Sequence, residues 1–204
     1  MQLLGSLGIL TVVLLWQTRV ALSYDTTPFI GPLDPWKVTR LNITAPEPGR
    51  SGPLHIDLAI SNPNKVSAGT APHADGGGYL PFDPSAANCT VESADGGTAV
   101  SDTCIETTHY SYGVWSVDLL PGITTYIDHR SFNLNFTLNY NVTRWGWVLY
   151  KVYEGTGHFE VGGNLEDGPC DDVSGTCLFT LKADSTPVLI PPTMTACKGT
   201  CKLN

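Results

Sequence analysis

The sequence predicts an all-β fold, an antiparallel β-sandwich or partly closed β-barrel held by disulfides. Three observations predict it. Apolar and polar residues alternate with a period of two along several segments. The 204 residues include 21 glycines and 15 prolines scattered throughout, which interrupts the chain too often for long helices. Six cysteines, Cys89, Cys104, Cys170, Cys177, Cys197 and Cys201, supply an even set for cross-links. The expected architecture has roughly eight to ten strands in packed sheets.

The chain opens with an apolar run, Leu3 to Trp16, followed by Gln17-Thr18-Arg19 and the small residues of Ala21-Leu22-Ser23. The run is short for a bilayer span, which takes roughly 20 residues, and it reads as a cleaved signal peptide over residues 1–23. Residues 24–204 then form a single secreted β domain, with its first residue at Tyr24. Arg19 is the one charged side chain lost with the leader, so the formal charge of −8 becomes about −9. That acidic balance, with no basic cluster, argues against nucleic acid and anionic membrane as partners. The expected location is extracellular.

Within the domain, Trp36 to Thr44 reads as a strand with Asn42 outward. Leu54, Ile56, Leu58 and Ile60 alternate with His55, Asp57, Ala59 and Ser61 in another, ending at the turn Asn62-Pro63-Asn64. Ser67 to Ala87, rich in glycine and proline, reads as a long surface loop. Short strands are expected over 104–112, 113–119 and 123–128. The strongest alternation runs from Ser131 to Thr143, with Phe132, Leu134, Phe136, Leu138, Tyr140 and Val142 on one side. Trp145 to Tyr153 is apolar on both faces and reads as a central covered strand. Glu154-Gly155-Thr156-Gly157 then predicts a hairpin turn into His158–Val161. Gly162 to Gly175 reads as a second loop, and short strands are expected at 177–182 and 187–190.

Six cysteines permit 15 pairings. Proximity favours Cys89–Cys104, Cys170–Cys177 and Cys197–Cys201, contributing about 3, 2.5 and 2 kcal/mol in a loop-entropy account. Zinc at Cys197 and Cys201 is the weaker alternative, because no second ligand pair has matching spacing. Four sequons, at Asn42, Asn88, Asn135 and Asn141, make N-glycosylation an expectation. Asn135 and Asn141 fall on the polar side of the strongest alternating segment, where a glycan stands in water.

No motif names a reaction. His55, His73, His109, His129 and His158 include no His-x-His or His-x-x-x-His pair, although His109, His129 and His158 all lie in or beside expected strands. Asp118, Asp128, Glu154 and Glu160 sit at expected strand ends, and Glu154 and Glu160 straddle the expected hairpin turn. A glycosidase needs such a carboxylate pair. Gly-x-Ser-x-Gly is absent. The acidic segment Glu166 to Asp172 suits a hard cation by composition but matches no EF-hand spacing. Trp36, Trp115, Trp145 and Trp147 are read mainly as core, with an exposed sugar-stacking platform as the alternative. Catalytic residues, metal ligands and cofactors are therefore all expected to be absent.

The segments Leu58-Ala59-Ile60-Ser61-Asn62-Pro63-Asn64, Phe132 to Leu138 and Cys177 to Ile190 resemble early, central and closing strands of the AA1-like group of small secreted fungal proteins, the group similar to the Alternaria major allergen. The resemblance implies a disulfide-stabilised β-barrel or sandwich without established catalytic residues. It also implies an effector or elicitor at the surface of a host plant, virulence-related, that works by non-enzymatic recognition of a host extracellular protein or cell-wall polymer. A cell-wall carbohydrate-binding protein or small glycoside hydrolase is the alternative.

Overall fold

Alternating side chains fold into strands because each strand buries one row and leaves the other in water. The computed structural model describes residues 32–47, 50, 52–72, 77–94, 98–99, 102–108, 112–120 and 129–201. In chain order its strands are β1 (Trp36–Pro46), β2 (Leu54–Asn62), β3 (Val66–Thr70), β4 (Tyr79–Phe82), β5 (Ser85–Ala94), β6 (Thr98–Ala99), β7 (Asp102–Thr103) and β8 (Ile105–Glu106). They continue with β9 (Gly113–Leu120), β10 (Ser131–Arg144), β11 (Trp147–Glu160), β12 (Leu165–Asp171), β13 (Thr176–Leu181), β14 (Val188–Ile190) and β15 (Thr193–Lys198). A 3₁₀ turn, Ala183–Ser185, stands between β13 and β14. Among the described residues no helix is long and apolar enough to cross a membrane.

Two antiparallel sheets face one another. The larger has the order β12-β13-β1-β2-β5-β6, with β14 continuing beside β1 and β8 beside β5. The smaller has the order β15-β11-β10-β9-β7, and the β3–β4 hairpin stands apart as a third ribbon. No pairing among the described residues joins the two large sheets, so the architecture is a sandwich and the barrel alternative is not realised. Trp36, Leu41, Ile43, Ile56 and Leu58 of the larger sheet meet Trp115, Val117, Leu134, Phe136 and Leu138 of the smaller one, all essentially removed from solvent. Each such large side chain contributes about 1.5–3 kcal/mol by leaving water. Trp36 and Trp115 meet edge to face across the interior, ring centroids 4.8 Å apart.

The same interior carries a chain of hydrogen bonds. Trp115 Nε1 donates to Ser85 Oγ at 3.1 Å, and Ser85 Oγ lies 3.4 Å from the Tyr140 hydroxyl. That hydroxyl accepts from Asn62 Nδ2 and donates to the Asp83 carbonyl, both at 2.9 Å. Asn62 Oδ1 in turn accepts from the Asn64 backbone and side-chain amides. Asn64 exchanges two hydrogen bonds with the backbone of Asp34. The Asn62-Pro63-Asn64 turn thus anchors both the N-terminal approach to β1 and the centre of β10. Burial raises the Tyr140 pKa, against the hydrogen bonds from Ser85 and Asn62 that favour the ionised form.

Three departures from expectation have physical causes. Gly155 and Gly157 lie inside β11, which runs straight on to Glu160 against β10. They are glycines because Ile190 packs on them: a Cβ at Gly155 would sit 2.8 Å from Ile190 Cγ2 and 3.3 Å from Trp36. The hairpin turn lies earlier, where Arg144 pairs with Trp147. Within the supposed loop Ser67 to Ala87, small residues build β3, and Gly69 leaves room for Leu149. Within Gly162 to Gly175, β12 pairs with β13 around an irregularity between Asp167 and Cys170. As a sheet margin exposed along most of its length, β12 shows no apolar alternation. The expected strand at 123–128 and the leader at 1–23 lie outside the described residues.

Two substitutions test this interior. Gly155→Ala should lower unfolding stability by about 1–3 kcal/mol in denaturant titrations, because the added Cβ crowds Ile190, the Pro191 carbonyl and Trp36 together. Tyr140→Phe keeps the ring but leaves Asn62 and Ser85 short of a partner, and should cost about 1–3 kcal/mol by the same measurement.

Candidate functional site

The turn between β10 and β11 is two residues long, and both have positive φ: 52° at Trp145 and 76° at Gly146. Such primed turns match the twist of a hairpin and favour Asn-Gly or Asp-Gly. A tryptophan at the first position occupies the left-handed region at a cost of roughly 1–2 kcal/mol. Beyond the turn, Trp147 is 66% exposed. Trp145 is half-buried and packs against the margin of the core. Both border a hollow of about 430 Å³ with Leu149 beside them.

The rest of the lining comes from Gly69 and Thr70 of β3 and from Gly199 and Thr200 after β15. The Cys197–Cys201 disulfide closes the segment that holds Gly199 and Thr200. Thr200 N donates to the Ala68 carbonyl at 3.0 Å, which ties this segment to β3. Gly199 is in the left-handed region at φ 121°, and a Cβ there would collide with the Ala68 carbonyl oxygen. Behind the lining, Lys151 Nζ donates to the Thr200 carbonyl and lies 3.5 Å from Cys197 Sγ. Lys151 is 3% exposed, and burial pushes its ammonium pKa down. None of the residues lining the hollow is charged.

A second constellation lies on the outward face of the larger sheet. His55 places Nε2 3.0 Å from Asp57 Oδ2 and Nδ1 3.3 Å from Glu92 Oε1, so a protonated ring donates to both carboxylates. Thr90 Oγ1 donates to Asp57 at 2.9 Å, and Arg40 donates to Asn88 Oδ1 at 3.2 Å. Burial opposes ionisation of Asp57, yet the hydrogen bonds from Thr90 and His55 and the nearby charges outweigh it. They hold its carboxyl below the ordinary aspartate value. These groups form a solvated ion-pair surface on the outward face of the sheet.

The structure pairs Cys89 with Cys104, Cys170 with Cys177 and Cys197 with Cys201, which leaves no thiol for zinc. Three disulfides fit an oxidising, extracellular setting. Asn42, Asn88 and Asn141 are exposed on outward strand faces, and Asn135 is half-buried on the same face as Asn141. Glu154 and Glu160 do not straddle a turn: they lie on one exposed face of β11, six residues and about 20 Å apart. That is beyond the roughly 5–9.5 Å that glycosidases use. Asp118 is half-buried on β9 opposite Asn135, and Asp128 lies outside the described residues.

His158 faces Asn133, with Nδ1 3.0 Å from Oδ1, and His129 precedes β10. His73 and His109 lie outside the described residues. The acidic segment is strand β12, where Asp167 pairs with Arg130 at 2.7 Å. At its last residue, Asp171 accepts from Ser174 and Val173. Among the described residues no three His, Cys, Asp or Glu side chains are placed to hold a metal. Trp36 and Trp115 are core, as the sequence suggests, whereas Trp145 and Trp147 are not. Their place at a turn escapes sequence reading because Trp-Gly carries no turn signal of the Asn-Gly kind. No family model, curated protein or solved structure matches the chain.

Asp57 also sets an acid limb of stability. Its contribution is complete above the ordinary value near 3.8 and is lost as the pH falls through its lower folded value. Denaturant midpoints between about pH 4 and pH 2 should therefore fall more steeply for the native chain than for Asp57→Asn.

Proposed function

We propose that this chain is a secreted glycoprotein of effector or elicitor type that acts by non-enzymatic recognition of a host extracellular macromolecule. The leader-like segment 1–23, the four outward-facing sequon asparagines and the disulfides support export. The resemblance of three strand segments to the AA1-like group supports the effector role. One observation carries the recognition reading: Trp147, a large aromatic, stands 66% exposed at the tip of the β10–β11 hairpin beside a second tryptophan. Exposed tryptophans on a fixed backbone lose little entropy on binding and commonly dominate contact energies. The carboxylate pair proposed for hydrolysis is too widely separated for that chemistry, so a hydrolase receives no support from Glu154 and Glu160.

Purified wild-type and Trp147→Ala proteins, matched in circular dichroism, can be infiltrated into leaf tissue over a concentration series. Wild-type protein should provoke cell death or defence output, and the variant should need about 30-fold more for the same response. Absence of any response in every host tried, with undiminished infection by a deletion strain, would count against the proposal.

A further inference from the structure

We infer that the hollow between Trp145, Trp147 and the Cys197–Cys201 segment is a binding site for a neutral saccharide chain. This deepens the recognition reading above and rests on it. The first argument is conformational. Trp145 occupies a turn position at φ 52° that asparagine or glycine fills with less strain. Strain of that kind persists where surrounding structure or function over-determines it. Partial packing against the core explains some of the choice of tryptophan, but it does not explain why Trp147 beside it stays largely in water.

The second argument is chemical. The lining combines the aromatic residues Trp145 and Trp147 with the hydroxyl-bearing Thr70 and Thr200 and with Gly69 and Gly199, on which Leu149 packs. No lining residue carries charge, in a protein whose formal charge is −8. A phosphate, carboxylate or amine would meet no charged side chain in the lining, at a desolvation cost, and the nearby Lys151 ammonium behind it is already bound to the Thr200 carbonyl. A fatty chain would leave the threonine hydroxyls without partners. A pyranose has what this lining asks for: an apolar face of C–H groups to lie on indole, and a rim of hydroxyls that donate and accept. The volume of about 430 Å³ falls within the range of small-ligand sites, roughly 300–1,000 Å³. Trp147 at the exposed mouth gives a second sugar of the chain a surface to continue along.

The third argument is rigidity. The disulfide, the Thr200–Ala68 hydrogen bond and the buried Lys151 donating to Thr200 hold the Gly199 and Thr200 part of the lining before any ligand arrives. A preformed lining lowers the entropy cost of binding a weakly held neutral ligand.

The test is calorimetric and fluorimetric titration of the glycosylated secreted protein, and of the same protein enzymatically deglycosylated. The probes are hexasaccharides of β-linked glucose, β-linked N-acetylglucosamine and mannose, with an oligogalacturonate as the charged control. At least one neutral series should bind with a shift in tryptophan emission, and Trp147→Ala should weaken it about tenfold or more. Trp145→Asn should also weaken binding, while raising the denaturant midpoint because the turn relaxes. The inference is overturned by no neutral binding at millimolar probe, by equal binding in the native chain and both variants, or by preference for the charged control. Should Trp147→Ala abolish the leaf response while no saccharide binds, the recognition reading survives and the saccharide does not. Should neither response nor binding be seen, both fall.

Discussion

The hydroxyl of Tyr140 is the point on which the two sheets agree. It accepts from Asn62 and donates to the Asp83 carbonyl, with Ser85 beside it and Trp115 bound to Ser85 in turn. Apolar packing alone tolerates sliding, because one buried leucine substitutes for another. A satisfied polar chain in a low-dielectric interior does not, since every displaced member leaves a donor or acceptor stranded. Because strand side chains alternate, a slip by one residue would also turn the whole apolar row of β10 to solvent. The network therefore fixes β10 along its length, and with it the hairpin tip that carries Trp145 and Trp147.

Much of the sandwich is legible in the sequence wherever one face is wet and the other dry. β1, β2 and β10 announce themselves by alternation, and their outward rows include Asn42, His55, Asn135 and Asn141. Elements without that contrast are not legible. β12 is solvated along most of its length, so it reads as a loop. β3 is built of small residues under another ribbon, so it has no apolar signature. Gly155 and Gly157 show that glycine serves two purposes that composition cannot separate. Here they admit Ile190 and Trp36 and do not bend the chain.

The candidate site was hidden for a related reason. Its parts come from β3, the β10–β11 turn and the segment after β15, which are far apart in sequence and meet only in the fold. Charged residues gave more visible clues and led elsewhere: Glu154 and Glu160 share a strand face, Asp167 of β12 pairs with Arg130, and Asp171 is held by local donors. The tryptophans were visible throughout. What the sequence withheld was that two of them sit at a turn.

The outer margin of the larger sheet has a further effect. β12 offers an incoming strand from another molecule Glu166, Asp167 and Asp171, together with Pro169, which has no amide hydrogen to give. The kink at Gly168 and Pro169 breaks the even ladder that strand addition requires. Crowded copies of the protein would thus find this flank repellent to stacking, which favours dispersal over fibre growth at high local concentration.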